Sequence, residues 1–177
     1  LIDAEAPGAG VERIAPRVVE TAKKFWYVYL SLTAFIALAL FLFGMGPFDA
    51  VSHALTTAST GGFSTKDSSL GHWNSIKIEM VVMLGFLLAA INFTLHARSI
   101  EKKRFNYASD SEFKSFMGLI AVGVLIITLL LNLEGFSFGT ALRNASFNVV
   151  TLATSGGYGN ALGRGESGDF ASWPGST

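Results

Sequence analysis

The stretch "FWYVYLSLTAFIALALFLFGMGP", Phe25 to Pro47, contains no charged residue. A helix rising about 1.5 Å per residue needs roughly 20 such residues to cross the 30 Å hydrocarbon core of a bilayer. The run is apolar on every side, which an amphipathic surface helix is not, and Trp26, Tyr27 and Tyr29 fall where an interfacial aromatic belt would lie. Two more runs, Ile78 to His96 and Phe116 to Leu133, are long enough to span. Hydrophobic residues make up 50% of the 177-residue chain, and its mean hydropathy is +0.46. Both values are high for a soluble domain and point to a membrane.

Basic and acidic residues balance at 13 each, which speaks against a nucleic-acid partner, whose phosphates call for a cluster of Lys and Arg. With no cysteine, disulfides and thiolate metal sites are excluded. Arg13, Arg17, Lys23 and Lys24 precede the first run; Arg98, Lys102, Lys103, Arg104 and Lys114 follow the second. By the positive-inside rule these nine face the cytoplasm, against four on the other side: Lys66, Lys77, Arg143 and Arg164. Ser109, Asp110, Ser111 and Glu112 form a capping-box pattern where the third long helix should begin.

Sliding the chain against itself by 95 positions lays "DAVSHALTTASTGGF" from Asp49 over "NASFNVVTLATSGGY" from Asn144, with the Gly-Gly-aromatic triplets in register. The repeating unit is a long helix, a shorter amphipathic helix, a Gly-rich turn and a second long helix. "FDAVSHALTTAS" gives a helix of only ~18 Å, too short to cross, so it must enter and leave on one side. Irregular backbone survives at membrane depth only where protein or a water-filled cavity satisfies it. A helix ending there aims its negative dipole end inward, and the glycines allow successive carbonyl oxygens to face one axis, where they replace a cation's water. The competing reading is that a Gly-Gly pair is a turn or helix C-cap. Its occurrence twice in register favours the ion-binding reading.

"RIAPRVVETAKKFW", "MGPFDAVSHALTTASTGGFSTKDSSLG", "INFTLH" and "FNVVTLATSGGYGN" with a later "WP" resemble the central part of TrkH-type potassium uptake subunits of the Trk/Ktr/HKT superfamily, from about Val11 to Pro174. The resemblance implies an all-α membrane protein of helix, pore-helix, helix repeats with re-entrant filter loops. Residues 1–24 would then be a cytoplasmic segment and 25–98 a complete repeat, with span 25–47, pore helix 48–59, filter 60–64 and span 78–96. A cytoplasmic loop, 99–115, would lead to a partial repeat, 116–177, with span 116–133, pore helix 139–154 and filter 155–159. Filter residues matched to the family pattern are Thr60, Gly61, Gly62, Phe63, Ser155, Gly156, Gly157 and Tyr158. Gly62 and Gly157 would hold K⁺ through backbone carbonyls. The resemblance further implies potassium transport without catalysis or cofactor, a multi-pass protein in the bacterial inner membrane among lipid, a homodimer, and a cytosolic nucleotide-binding regulatory subunit. The alternative is a noncatalytic membrane scaffold or an inert truncated fragment.

Other signals are weaker. Asn92 and His96, four apart, share a face of the second run and are expected to act as interhelical glue. His53 and His72 lack ligand-spaced partners for a metal. "GRGESG", Gly163 to Gly168, fits a dinucleotide pattern but follows no strand. Asn92 and Asn144 each open a glycosylation sequon. Leu1 in place of Met and the abrupt end at "SWPGST" suggest a fragment at both ends.

Overall fold

The computed structural model describes residues 8–102 and 107–160, so the "GRGESG" stretch and Arg164 lie outside the described residues. Six α-helices follow one another: α1 (Gly8–Leu42), α2 (Pro47–Ala58), α3 (Ile76–Ala90), α4 (Phe93–Lys102), α5 (Ser111–Leu133) and α6 (Phe138–Ala153), with 3-10 turns at Ser69–His72 and Tyr107–Ser109. No strand occurs among the described residues, and the all-α class expected from the sequence is what is found.

Val18–Leu42 of α1 and Ser111–Leu133 of α5 are long and apolar enough to cross a membrane, and little of either is buried in the protein. Phe35, Leu38 and Phe41 on α1, and Leu119, Leu125 and Leu129 on α5, are exposed. Apolar surface on this scale needs lipid or further protein against it. Both helices stop the same way. The N–H of Met45 donates to the Leu40 carbonyl and that of Gly44 to Phe41; the pairs Phe136 to Leu131 and Gly135 to Asn132 repeat this at α5. Gly44 and Gly135 take the left-handed φ (+104° and +95°) that closes the turn. For this reason α1 ends at Leu42 rather than running on to Pro47. At the other end of α5, the Asp110 carboxylate accepts the Phe113 N–H at 2.9 Å, so the cap is Asp110, one position later than a Ser109–Glu112 capping box would set it.

The second apolar run differs from expectation: it breaks after Ala90, and a separate helix, α4, starts at Phe93. Asn92 is the cause. Its side-chain oxygen accepts the Thr94 N–H at 3.0 Å and also bonds the Thr94 hydroxyl, so it caps α4 instead of continuing α3. It is therefore a cap, not interhelical glue. Buried His96 reaches back across the break to the Leu88 carbonyl (2.8 Å), left free where α3 ends, and to the Tyr107 hydroxyl (3.0 Å).

α2 lies against α1 and α6 against α5, while α3 joins the two units through α6. The contacts are close because small residues line them: Ala50, Ala54 and Ala58 on α2, Ala141 and Ala145 on α6. At Gly85 of α3, a Cβ would fall 2.7 Å from the Thr57 methyl and 2.8 Å from the Ile36 Cδ1. Three helices thus meet at one glycine. The units are also tied by charge: Arg143 of α6 donates Nε to one oxygen of Glu79 (2.9 Å) and Nη2 to the other (2.7 Å), with a further bond from Nη2 to Asn74 (3.0 Å). Glu79 is 1% exposed and stands in the first turn of α3, where the helix dipole favours an anion. Lys66 pairs with Asp49 at 3.5 Å, and Lys77 lies over the Phe43 ring at 5.8 Å. The three described exceptions to the charge bias thus each have a partner.

Candidate functional site

Both short helices, α2 and α6, end in the same hydrogen-bond pattern. Gly61 N–H donates to the Thr56 carbonyl (2.7 Å) and Thr60 N–H to Thr57 (3.0 Å); Gly156 to Thr151 (2.7 Å) and Ser155 to Leu152 (3.0 Å) match them bond for bond. The left-handed position that closes such a turn carries Thr60 (φ +54°) and Ser155 (φ +62°), not glycine. A β-branched threonine there costs about 1–2 kcal/mol. Two residues on, Gly62 (φ +64°) and Gly157 (φ +71°) are left-handed again. The glycine pairs therefore do cap the helices, but a cap needs only one left-handed residue, and each loop has two.

The second one matters for the carbonyls. Gly61 and Gly62 both aim their N–H groups at Thr56 O (2.7 and 3.3 Å), and Gly156 and Gly157 aim theirs at Thr151 O (2.7 and 3.2 Å). In a planar trans peptide the C=O points opposite to the N–H. The carbonyls of Thr60, Gly61, Ser155 and Gly156 are accordingly turned away from the helix ends. The loops touch there: a Cβ on Gly62 would lie 1.4 Å from the carbonyl oxygen of Gly156. Gly156 in turn rests on Phe86, whose ring would be 2.3 Å from a Cβ. Around Gly157 nothing lies within that reach.

After each turn the chain runs back to the start of its helix. The Asp49 carboxylate accepts from the Thr65 hydroxyl (2.6 Å), and His53 bonds Ser64 (2.9 Å). At the offset of 95, Asn144 accepts from Asn160 (3.1 Å) as Asp49 does from Thr65, whereas Asn148, the counterpart of His53, donates to Asn160 (3.1 Å), Ser64 being matched by Gly159. His53 Nδ1 lies 2.7 Å from the Asp49 carbonyl, which can only accept; in the neutral ring Nε2 then accepts from the Ser64 hydroxyl. Asn148 likewise donates to the Asn144 carbonyl at 2.9 Å. The Thr65 hydroxyl, then the charge of Lys66, holds the Asp49 carboxyl below its ordinary value. Thr56 donates to the Phe63 carbonyl (3.0 Å), and its counterpart Thr151 accepts the Tyr158 N–H (2.9 Å).

The two aromatic residues of the expected filters part company. Tyr158 is 2% exposed, its ring against Phe86 and His53 of the first unit; Phe63 is 77% exposed. The Phe63 carbonyl, engaged by Thr56, is turned back toward α2. Among the described residues no three His, Cys, Asp or Glu side chains cluster as a metal site would. Asn144, opening one sequon, is buried.

The family described as "TrkH: Cation transport protein" matches residues 10–159. The chain belongs to the TrkH family. That family is one of transporters, not enzymes, and places the chain in a membrane. Among TrkH relatives, the Trk system potassium uptake protein TrkH of Vibrio parahaemolyticus is 38% identical, covering 98% of this chain and 36% of that protein. Trk system potassium uptake protein TrkG of Escherichia coli is 34% identical, covering 98% and 35%. The crystal structure of the potassium transporter TrkH from Vibrio parahaemolyticus superposes with a TM-score of 0.80 at 38% identity, over 90% of this chain and 34% of the other. The chain thus spans about a third of the length of the TrkH relatives it matches.

Within the matched TrkH region, sequence reasoning singled out the glycines and missed what holds them. Asp49, His53 and Thr56, and their counterparts Asn144, Asn148 and Thr151, pin each return segment. The signal was present in the repeat itself: hydrogen-bonding residues at corresponding positions, spaced four and then three residues apart, on the inner face of each short helix.

Proposed function

We propose that this chain forms part of a potassium-conducting pathway of a Trk uptake system. The carbonyls of the two glycine turns replace part of the ion's hydration shell at the dipole-negative ends of α2 and α6. The observation that carries this is the contact of the two turns at Gly62 and Gly156, with the carbonyls of both directed away from their helices. The second left-handed residue in each loop supports the same reading over a purely structural cap. On this reading α2 and α6 are re-entrant pore helices, and the protein is a multi-pass homodimer in the bacterial inner membrane. A cytosolic nucleotide-binding subunit regulates it, in keeping with relatives named for the Trk system.

Gly157→Ala is the informative variant, because its added methyl has space and meets no neighbouring atom. We expect the gene encoding this chain, expressed over its full reading frame in potassium-requiring cells, to support rubidium uptake. Gly157→Ala should accumulate in membranes at wild-type level yet lose uptake about five- to thirtyfold, on the order of the 1–2 kcal/mol of left-handed strain redirected into the carbonyls. Undiminished uptake by that variant would contradict conduction at the glycine turns, and a wild type that supports no uptake would favour a noncatalytic scaffold.

A further inference from the structure

Tyr158 comes from the second unit's loop but is housed in the first. Its ring packs at 5.3 Å from the Phe86 ring and 5.6 Å from the His53 ring. Its hydroxyl meets the Thr56 hydroxyl at 2.5 Å, with the His53 carbonyl at 3.3 Å and the Phe63 carbonyl at 3.5 Å. Each hydroxyl has one proton to give. The Thr56 hydroxyl has the carbonyls of Phe63 (3.0 Å), Ser52 (3.1 Å) and His53 (3.3 Å) as acceptors, and its contact with the Tyr158 hydroxyl holds one proton that either oxygen can give. One relay therefore runs from the second loop, through α2, to the backbone of the first loop. Phe63, the repeat counterpart of Tyr158, has no hydroxyl and stands outside.

We propose that Tyr158 is a positioning residue for ion preference: through Thr56 it fixes the spacing between the two glycine turns and the direction of the Phe63 carbonyl. This rests on the conducting role of the turns. Discrimination between alkali ions depends on the number and freedom of the coordinating carbonyls, which a strut between loops restrains.

The test is the ratio of rubidium to sodium uptake by proteoliposomes holding the full-length gene product. Tyr158→Phe keeps the ring and removes only the hydroxyl. We expect unchanged incorporation and a ratio reduced about five- to tenfold, the worth of one neutral hydrogen bond. Thr56→Val should lower it equally, Thr56→Ser should preserve it, and the double variant Tyr158→Phe with Thr56→Val should be no worse than either alone. A wild-type ratio in Tyr158→Phe, or additive losses in the double variant, overturns the inference while leaving conduction intact. Should Tyr158→Phe incorporate poorly, the contrast between Thr56→Ser and Thr56→Val decides in the same way. A wild-type protein that moves neither ion overturns conduction and this inference together.

Discussion

Gly62→Ala is expected to abolish folded protein, and with it all uptake. The new methyl would lie 1.4 Å from the Gly156 carbonyl oxygen and 2.5 Å from its carbon, both backbone atoms that no rotamer change can move aside. At φ +64° the alanine also carries left-handed strain of about 1–2 kcal/mol before any clash is counted. Relief requires the two turns to separate, and Gly156 cannot retreat because it rests on the Phe86 ring. A loss of roughly 4–5 kcal/mol or more places this change in the exceptional tail of single substitutions. Detergent-solubilised protein followed by thermal denaturation and size exclusion would read it. Gly157→Ala, at the corresponding repeat position, keeps its fold in the same assay because its methyl enters open space. Equal damage at both glycines would mean that the turns do not touch as described.

The second large effect lies at the joint between the units. Glu79 is almost wholly buried, and the two bonds from Arg143 are its partners there. Arg143→Gln leaves a buried carboxylate without its cation, which costs about 3–5 kcal/mol. Glu79→Gln should be milder, since Arg143 is partly open to solvent and keeps its bond to Asn74. Replacing both by Met should recover most of the loss, because apolar pairs of similar volume often match a buried ion pair. Melting temperatures of the three variants would show the order Arg143→Gln lowest, Glu79→Gln intermediate and the double variant nearest wild type. A double variant as unstable as Arg143→Gln would indicate a role for the pair other than charge neutralisation.

What could be read from residues alone followed the range of the forces involved. Uncharged runs announce α1 and α5 because a bilayer imposes length and apolarity on every residue of a span, and Asp110 announces the start of α5 because a cap is local. The break at Asn92 was masked by the apolar residues around it, although Asn92 and Thr94 are themselves a local cap signal. The repeat located both glycine turns, since equivalence between units is a sequence property. Which unit's aromatic enters which unit's pocket is not: Tyr158 and Thr56 are 102 positions apart, and only the packing of α3 against α6 brings them together. The ion pair of Arg143 and Glu79 was hidden for the same reason, each residue reading alone as a charge near a helix end.

The most direct measurement is the position of rubidium, an electron-rich substitute for potassium, in crystals of the full-length gene product, located by its anomalous scattering. A peak should appear between the turns, in direct contact with carbonyl oxygens of Thr60, Gly61, Gly62, Ser155 and Gly157. Peaks confined to other parts of the molecule, with those oxygens bonded to neighbouring protein, would contradict ion conduction at the glycine turns.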